Sequence, residues 1–202
     1  MREQLYFEID ELECRSEGDS GRKIGGYAAL FNKLSEDLGG FREQIAPGAF
    51  GKSLKGREVV ALWSHNPDLV LGRTSNETLV LEENARGLKF SLSLSDTSWG
   101  RDAWASIQRR DVKGMSFGFI VEKDSWDVDH KEEAAIRTLH QVSLFEVSAT
   151  AFPAYPQTSV DTRSAKDILE VGLAEIAKRE GSKFAFAREK AKLKLLQLRR
   201  VA

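Results

Sequence analysis

The sequence lacks the features that cross-link a chain through disulfides or anchor it in a membrane. Among its 202 residues there is one cysteine, Cys14, so an internal disulfide is excluded and a reducing compartment is expected. No apolar run approaches the length of a membrane span, and the first residues lack the apolar core of a signal peptide. We therefore expect a soluble protein without a membrane partner that stays in the cytoplasm where it is made.

Charge is nearly balanced over the chain but unevenly distributed along it. The formal net charge is -1, so no global field attracts the protein to nucleic acid. Residues 1–160 hold 19 Lys and Arg against 25 Asp and Glu, whereas residues 161–202 hold 11 against 6. An acidic body is thus expected to carry a basic tail.

Motifs for nucleotide and metal binding are also missing. The sequence contains no P-loop, no dinucleotide-binding glycine pattern and no zinc-type spacing. Asp127, Asp129 and His130 have metal-type side chains, but they lie in a charged loop without a further cluster, so we expect neither a metal nor a cofactor. Cys14 lies in an acidic stretch, which disfavours a reactive thiolate.

Short alternating and β-branched segments dominate residues 1–160. They predict about seven strands, with a turn at Asn66–Pro67 after the buried run EVVALWSH and a hairpin joined at residues 84–87. One good helix is expected to begin at residues 96–98, each of which can cap it. The pattern is typical of an α+β domain, with a closed or nearly closed β-barrel flanked by helices.

The segment 161–202 is charged and has helical periodicity. Leu169, Leu173 and Ile176 lie on one stripe, and apolar residues continue after an interruption at Gly181. We predict a C-terminal amphipathic helical tail, which serves as a tether rather than as part of the core of residues 1–160.

Two residues stand where a nucleophilic mechanism would need them, although each also has an ordinary explanation. His65 ends the run VVALWSH, so it is either a general base or a histidine that caps its own turn. Ser116 lies between Gly114 and Gly118 in KGMSFGF, so it is either a nucleophile with open space around it or a turn serine.

The third candidate position is the strand RTLHQVSLFEVSAT. Strict alternation puts His140, Val142, Leu144, Glu146 and Ser148 on one face. A carboxylate on a largely apolar strand is costly to bury without a partner, so Glu146 either orients another group or faces solvent at a strand edge. His140 shares the face and is the alternative orienting residue.

Taken together, these segments resemble the tailed-phage prohead protease family. The resemblance runs from about Gly25 to Pro156 and rests on ordered pieces: GYAALFN, REQIAPGAF, VVALWSHNPDLVLGRT, GLKFSLSLSDT, KGMSFGFIV and LFEVSATAFPAYP. The family is similar to the herpesvirus capsid-maturation protease, assemblin. The resemblance implies a β-barrel ringed by helices and a serine endopeptidase in residues 1–160.

The resemblance also assigns roles and partners. It implies that Ser116 is the nucleophile, His65 the general base and Glu146 the residue that orients the histidine, with His140 as its rival. The implied substrates are the scaffold, or the scaffolding domain of the major capsid protein, and the protease itself, and the resemblance also implies a homo-oligomer as a partner. The place of action would be an immature procapsid in the host cytoplasm, and the tail would be a scaffold tether or a self-processed segment.

Three other functions fit parts of the sequence. A catalytically silent capsid-assembly or scaffold protein would keep the fold without the activity. An esterase-like hydrolase would use the same three residues. A nucleic-acid-binding module would use the basic tail, but its interleaved acidic residues favour a partner helix, so nucleic acid is not expected as a partner.

Overall fold

The fold is known from a computed structural model that describes residues 3–8, 12–17, 21–129, 134–151 and 162–180. Within these ranges there are ten strands and three helices, with a 3-10 turn at Thr74–Asn76. The strands are β1 Glu3–Glu8, β2 Glu13–Glu17, β3 Gly21–Leu30, β4 Phe41–Ile45, β5 Val60–Trp63, β6 Asn66–Arg73, β7 Leu79–Glu83, β8 Gly87–Leu94, β9 Gly114–Asp129 and β10 Ala134–Thr150. The helices are α1 Gly51–Gly56, α2 Ser98–Gln108 and α3 Thr162–Glu180.

The strands make two sheets. One has the order β1-β9-β10-β5-β6, with β4 paired to β10 outside this path, and the other has the order β2-β3-β8-β7. The strand-rich architecture with few helices agrees with the expected α+β class. The described ladders do not close into a barrel, however, because each sheet ends in its own edge strands. Alternation in a sequence predicts strands, but it does not determine which of them pair.

Two local expectations are confirmed. The hairpin of β7 and β8 is joined through Asn84, whose side chain accepts hydrogen bonds from the backbone N–H groups of Arg86 and Gly87. Helix α2 is capped by Thr97, whose side chain accepts a hydrogen bond from Gly100 N at 3.2 Å. None of the helices in the described ranges is long and apolar enough to cross a membrane.

Strand β10 is the one on which the larger sheet is assembled. It pairs antiparallel with β9 along its whole length. On its other edge, Ala135–Leu139 pairs in parallel with β4, and Glu146–Ala149 pairs in parallel with β5. One strand therefore fixes the relative positions of β4, β5 and β9.

Between its pairings with β4 and β5, strand β10 forms hydrogen bonds with α1 and with the segment that precedes it. Val142 N donates to Ala49 O at 3.0 Å, and Leu144 N donates to Ser53 Oγ at 2.8 Å. β10 has irregular register in this stretch, including a shift between Leu144 and Glu146. Such bulges break strict alternation, so Val142 and Leu144 point into the core and do not share the face of Glu146 and Ser148 as expected.

The main core lies between the two sheets. Three residues of β9 enter it, namely Met115, Phe117 and Phe119, and the two phenylalanine rings are 5.1 Å apart. Because side chains alternate along a strand, Ser116 and Gly118 lie on the opposite face of this sheet. The core thus determines which way the candidate nucleophile points.

Helix α3 differs from the expected free tether. Its predicted apolar stripe is buried against Phe41 and Trp126, and consists of Leu169, Leu173 and Ile176. A Cβ at Gly172 would lie 2.2 Å from the ring of Trp126, so glycine permits this close approach. Residues 162–180 therefore pack on the sheet, while residues 181–202 of the predicted tail lie outside the described ranges.

A buried cluster of charges lies near this helix. Arg137 Nη1 donates to Glu3 Oε2 at 2.7 Å and to Glu43 Oε2 at 3.0 Å, and Arg137 Nε donates to Asp124 Oδ2 at 2.7 Å. One guanidinium thus faces three carboxylates. Burial, together with the charges of Glu3 and Asp124, raises the pKa of Glu43 to about 8, although Arg137 opposes the shift.

This pKa shift makes the stability of the protein depend on pH. Folded Glu43 keeps its proton between its ordinary pKa of 4.5 and about 8, whereas unfolded Glu43 loses it, so wild-type stability declines as the pH rises through this window. Glu43→Gln is neutral throughout, so its free energy of unfolding should decline less. Urea denaturation across the window measures the difference, with exposed Glu82→Gln as the control. Parallel curves for wild type and Glu43→Gln would contradict the argument.

A matched pair of substitutions in α3 tests whether the helix belongs to the folded body. Leu169 is 0% exposed, so Leu169→Ala should lower the free energy of unfolding by about 2–5 kcal/mol. Val171 is 67% exposed two residues later, so Val171→Ala should change it by less than about 0.5 kcal/mol. Chemical denaturation measures both values. Equal small effects would support the free tether instead.

Candidate active site

His65 lies in a tight turn between β5 and β6. Trp63 pairs with Asn66, so only Ser64 and His65 connect the two strands. Their φ angles are 50° and 60°, as a two-residue turn with two left-handed residues requires. The predicted turn at Asn66–Pro67 is therefore wrong, because β6 already begins at Asn66.

This turn is fastened to the end of β10. Ser64 N donates to Ala149 O at 3.0 Å, and His65 N donates to Ser148 Oγ at 3.2 Å. A residue other than glycine held at positive φ costs about 1–3 kcal/mol and persists only where its surroundings impose it. The two hydrogen bonds supply that constraint and hold the imidazole beside β10.

The carboxylate of Glu146 lies against this imidazole. Glu146 Oε1 is 2.6 Å from His65 Nδ1, and the two side chains are 13% and 19% exposed. Since a carboxylate accepts, Nδ1 of a neutral His65 carries the proton and Nε2 is the basic nitrogen. Nε2 is buried and has no hydrogen-bond partner within the described part of the chain.

Ser116 lies near the start of β9, where this strand is flanked by β1 and β10. It is 0% exposed, and its register partners are Tyr6 of β1 and Ser148 of β10. Residues directly opposite on antiparallel strands have Cβ atoms about 4.5–5.5 Å apart, so Ser116 lies beside Ser148. Ser148 in turn donates from Oγ to Glu146 Oε2 at 2.6 Å. The sheet thus places Ser116 next to Ser148, which contacts both Glu146 and His65.

Gly118 makes room for the carboxylate. It is the register partner of Glu146, and a Cβ at position 118 would lie 2.6 Å from Glu146 Oε1. The glycine two residues after Ser116 is therefore explained by the carboxylate that crosses over it.

His140, the rival orienting residue, lies elsewhere on β10. Its Nε2 is 2.7 Å from Ser125 Oγ. It lies six positions before Glu146, which is about 20 Å along an extended strand. The structure therefore brings Glu146, and not His140, to His65.

Ser148 is the member of this site to which the sequence analysis gave no role. Its side chain is fully buried, and its hydroxyl contacts both the Glu146 carboxylate and the His65 backbone. The available signal was its spacing, because two residues after Glu146 on a strand is the same face.

The other candidates are not part of this group. No cluster of three or more His, Cys, Asp or Glu side chains placed to hold a metal occurs among the described residues. Asp127 accepts a hydrogen bond from Arg179 Nη2 of α3 at 2.8 Å, and His130 lies outside the described ranges. Burial raises the pKa of the Cys14 thiol, which opposes a thiolate there.

Gly118→Ala tests the fit between the strand and the carboxylate. The new methyl group would displace the Glu146 side chain from His65 and leave buried polar atoms unpaired, so the free energy of unfolding should fall by about 1–3 kcal/mol. A crystal structure should show a longer separation between Oε1 and Nδ1. Gly56→Ala is the control, because a Cβ there meets nothing within 4 Å. Unchanged stability and geometry in Gly118→Ala would contradict this account.

A family model and a relative show the family of this chain. The family model described as Caudovirus prohead serine protease matches residues 10–171. The prohead protease of Enterobacteria phage HK97 is 30% identical over an alignment of 168 residues, and the match covers 80% of this chain and 69% of that protein. The solved structure of the bacteriophage T4 capsid assembly protease covers 73% of this chain and 97% of its own, with a TM-score of 0.48 and 12% identity. The family model and the relative from phage HK97 confirm the resemblance found in the sequence, and the chain belongs to the Caudovirus prohead serine proteases.

Proposed function

We propose that this protein is a serine endopeptidase in which Ser116 is the nucleophile, His65 the general base and Glu146 the residue that orients the base. The observation that carries the proposal is the 2.6 Å contact of Glu146 Oε1 with His65 Nδ1, which leaves a buried Nε2 without a described partner. A buried polar atom without a partner is costly, and a catalytic role is one explanation for such an atom. A silent scaffold protein would have no use for this arrangement.

The mechanism follows from the protonation of the imidazole. His65 Nε2 removes the proton of the Ser116 hydroxyl as Oγ attacks the carbonyl carbon of the scissile peptide bond. Glu146 stabilises the imidazolium that forms and keeps the ring in one tautomer. His65 then gives the proton to the leaving amine. A water molecule, activated by the same Nε2, hydrolyses the acyl-enzyme and restores Ser116.

Access to the nucleophile is controlled in this proposal. Ser116 is 0% exposed, so a peptide can reach it only after the atoms that cover it move. Substrate binding in this proposal therefore requires a local movement around Ser116.

The proposed substrates follow from the family. We expect cleavage of the scaffold, or of the scaffolding domain of the major capsid protein, and of the protease itself, inside the procapsid in the host cytoplasm. Residues 181–202 are proposed as the scaffold tether or self-processed segment, since they hold seven Lys and Arg against one Glu. The apolar stripe of α3 is unavailable for that role because it is already buried.

The first test is co-expression of the protein with its capsid and scaffold proteins. Ser116→Ala should abolish shortening of the capsid protein and of the protease while particles still assemble. Glu146→Gln should slow the cleavage by about a thousandfold or more, as expected for loss of the orienting carboxylate. Gels taken over time measure both effects.

His140→Gln is the matched control, because it changes the rival residue. It should cleave at close to the wild-type rate. Unchanged cleavage in Ser116→Ala would refute the proposed nucleophile, and a large loss in His140→Gln with none in Glu146→Gln would reverse the assignment of the third residue.

A further inference from the structure

Ser148 joins the two residues that the proposed mechanism relies on to activate Ser116. Its Oγ donates to Glu146 Oε2 at 2.6 Å and accepts from His65 N at 3.2 Å. We infer that Ser148 is a positioning residue of the active site, which fixes both the carboxylate and the histidine turn. This inference rests on the proposed function, since it assigns a role within that mechanism.

The first part of the role concerns the rotation of the carboxylate. The terminal torsion of a glutamate has a broad energy well, so one hydrogen bond through Oε1 leaves the carboxylate free to rock. The second hydrogen bond, from Ser148 to Oε2, removes that freedom. Gly118 beneath the carboxylate cannot do so, because it offers space and no polar side chain. Ser148 therefore holds Oε1 at His65 Nδ1.

The second part concerns the backbone of the histidine. Ser64 and His65 both have positive φ, a conformation that their surroundings must impose. The hydrogen bond from His65 N to Ser148 Oγ is one of the two that tie this turn to β10. The same oxygen atom thus controls the position of the imidazole through the main chain and its tautomer through Glu146.

A buried serine could also be present only to satisfy its own hydroxyl. Ser143 provides the comparison, because it is a buried serine on the same strand that donates to the carboxylate of Glu122, away from His65. If Ser148 has only a structural role, Ser148→Ala and Ser143→Ala should have similar consequences. If it positions the site, only Ser148→Ala should slow the reaction.

The experiment measures kcat and KM for cleavage of a capsid-protein peptide by the full chain, together with thermal unfolding. Wild type, Ser116→Ala, Ser143→Ala, Ser148→Ala, Glu146→Gln and the Ser148→Ala/Glu146→Gln double variant are compared. We expect Ser148→Ala to lower kcat by about tenfold, the scale of one hydrogen bond lost in the transition state, with KM nearly unchanged. Ser143→Ala should keep the wild-type kcat.

The double variant separates positioning from general stability. The part of the effect that acts through Glu146 should disappear once Glu146 is changed, while the part that acts through the His65 backbone should remain, so Ser148→Ala should reduce kcat less in the Glu146→Gln background than in wild type. Should the alanine variant fail to fold, Ser148→Thr and Ser148→Val replace it. The threonine and valine side chains have nearly the same shape, but only threonine keeps the hydroxyl group. The threonine variant should then be about tenfold faster than the valine variant.

The outcomes distinguish this inference from the function on which it rests. Full activity in Ser116→Ala would overturn the proposed function. An inactive Ser116→Ala, combined with wild-type kcat in Ser148→Ala, would leave the function standing and refute the role of Ser148. Equal losses in Ser148→Ala and Ser143→Ala, or strictly additive effects with Glu146→Gln, would also refute it.

Discussion

The antiparallel pairing of β9 with β10 is the constraint on which the candidate site depends. Its register sets Ser116 opposite Ser148 and Gly118 opposite Glu146. A register shift of one residue between β9 and β10 would turn the polar side chains of the site toward the apolar core, where a carboxylate has no partner. Core packing of Met115, Phe117 and Phe119 resists that shift, so the same side chains that stabilise the fold also hold the register of the site.

The parts of the structure that were predictable from sequence depend on neighbours along the chain. The Thr97 cap and the hairpin at residues 84–87 are of this kind, because a few adjacent side chains determine them. The pairing of His65 with Glu146 depends on a contact between residues 81 positions apart. Local residue types left both residues with ordinary alternatives, and only the resemblance of several ordered segments to one family singled them out.

The features that were not predicted depend on tertiary contacts, which the order of residue types along the chain does not show. The irregular register of β10 arises where its partner changes from β4 to β5, so alternation failed there and wrongly put Val142 and Leu144, which lie in the core, on the face of Glu146. The turn at Ser64 and His65 uses positive φ angles that glycine or asparagine usually provides. The apolar stripe of α3 has the same sequence pattern whether it binds another protein or, as here, its own sheet.

The arrangement of β10 has a consequence for how the enzyme is made. Its parallel partners β4 and β5 precede it by many residues, so the large sheet has high contact order and folds more slowly than a protein built from local contacts. During synthesis, the histidine and the serine emerge before the carboxylate. A nascent or truncated chain that ends before Glu146 therefore contains two of the three proposed catalytic residues and lacks the carboxylate proposed to orient the histidine.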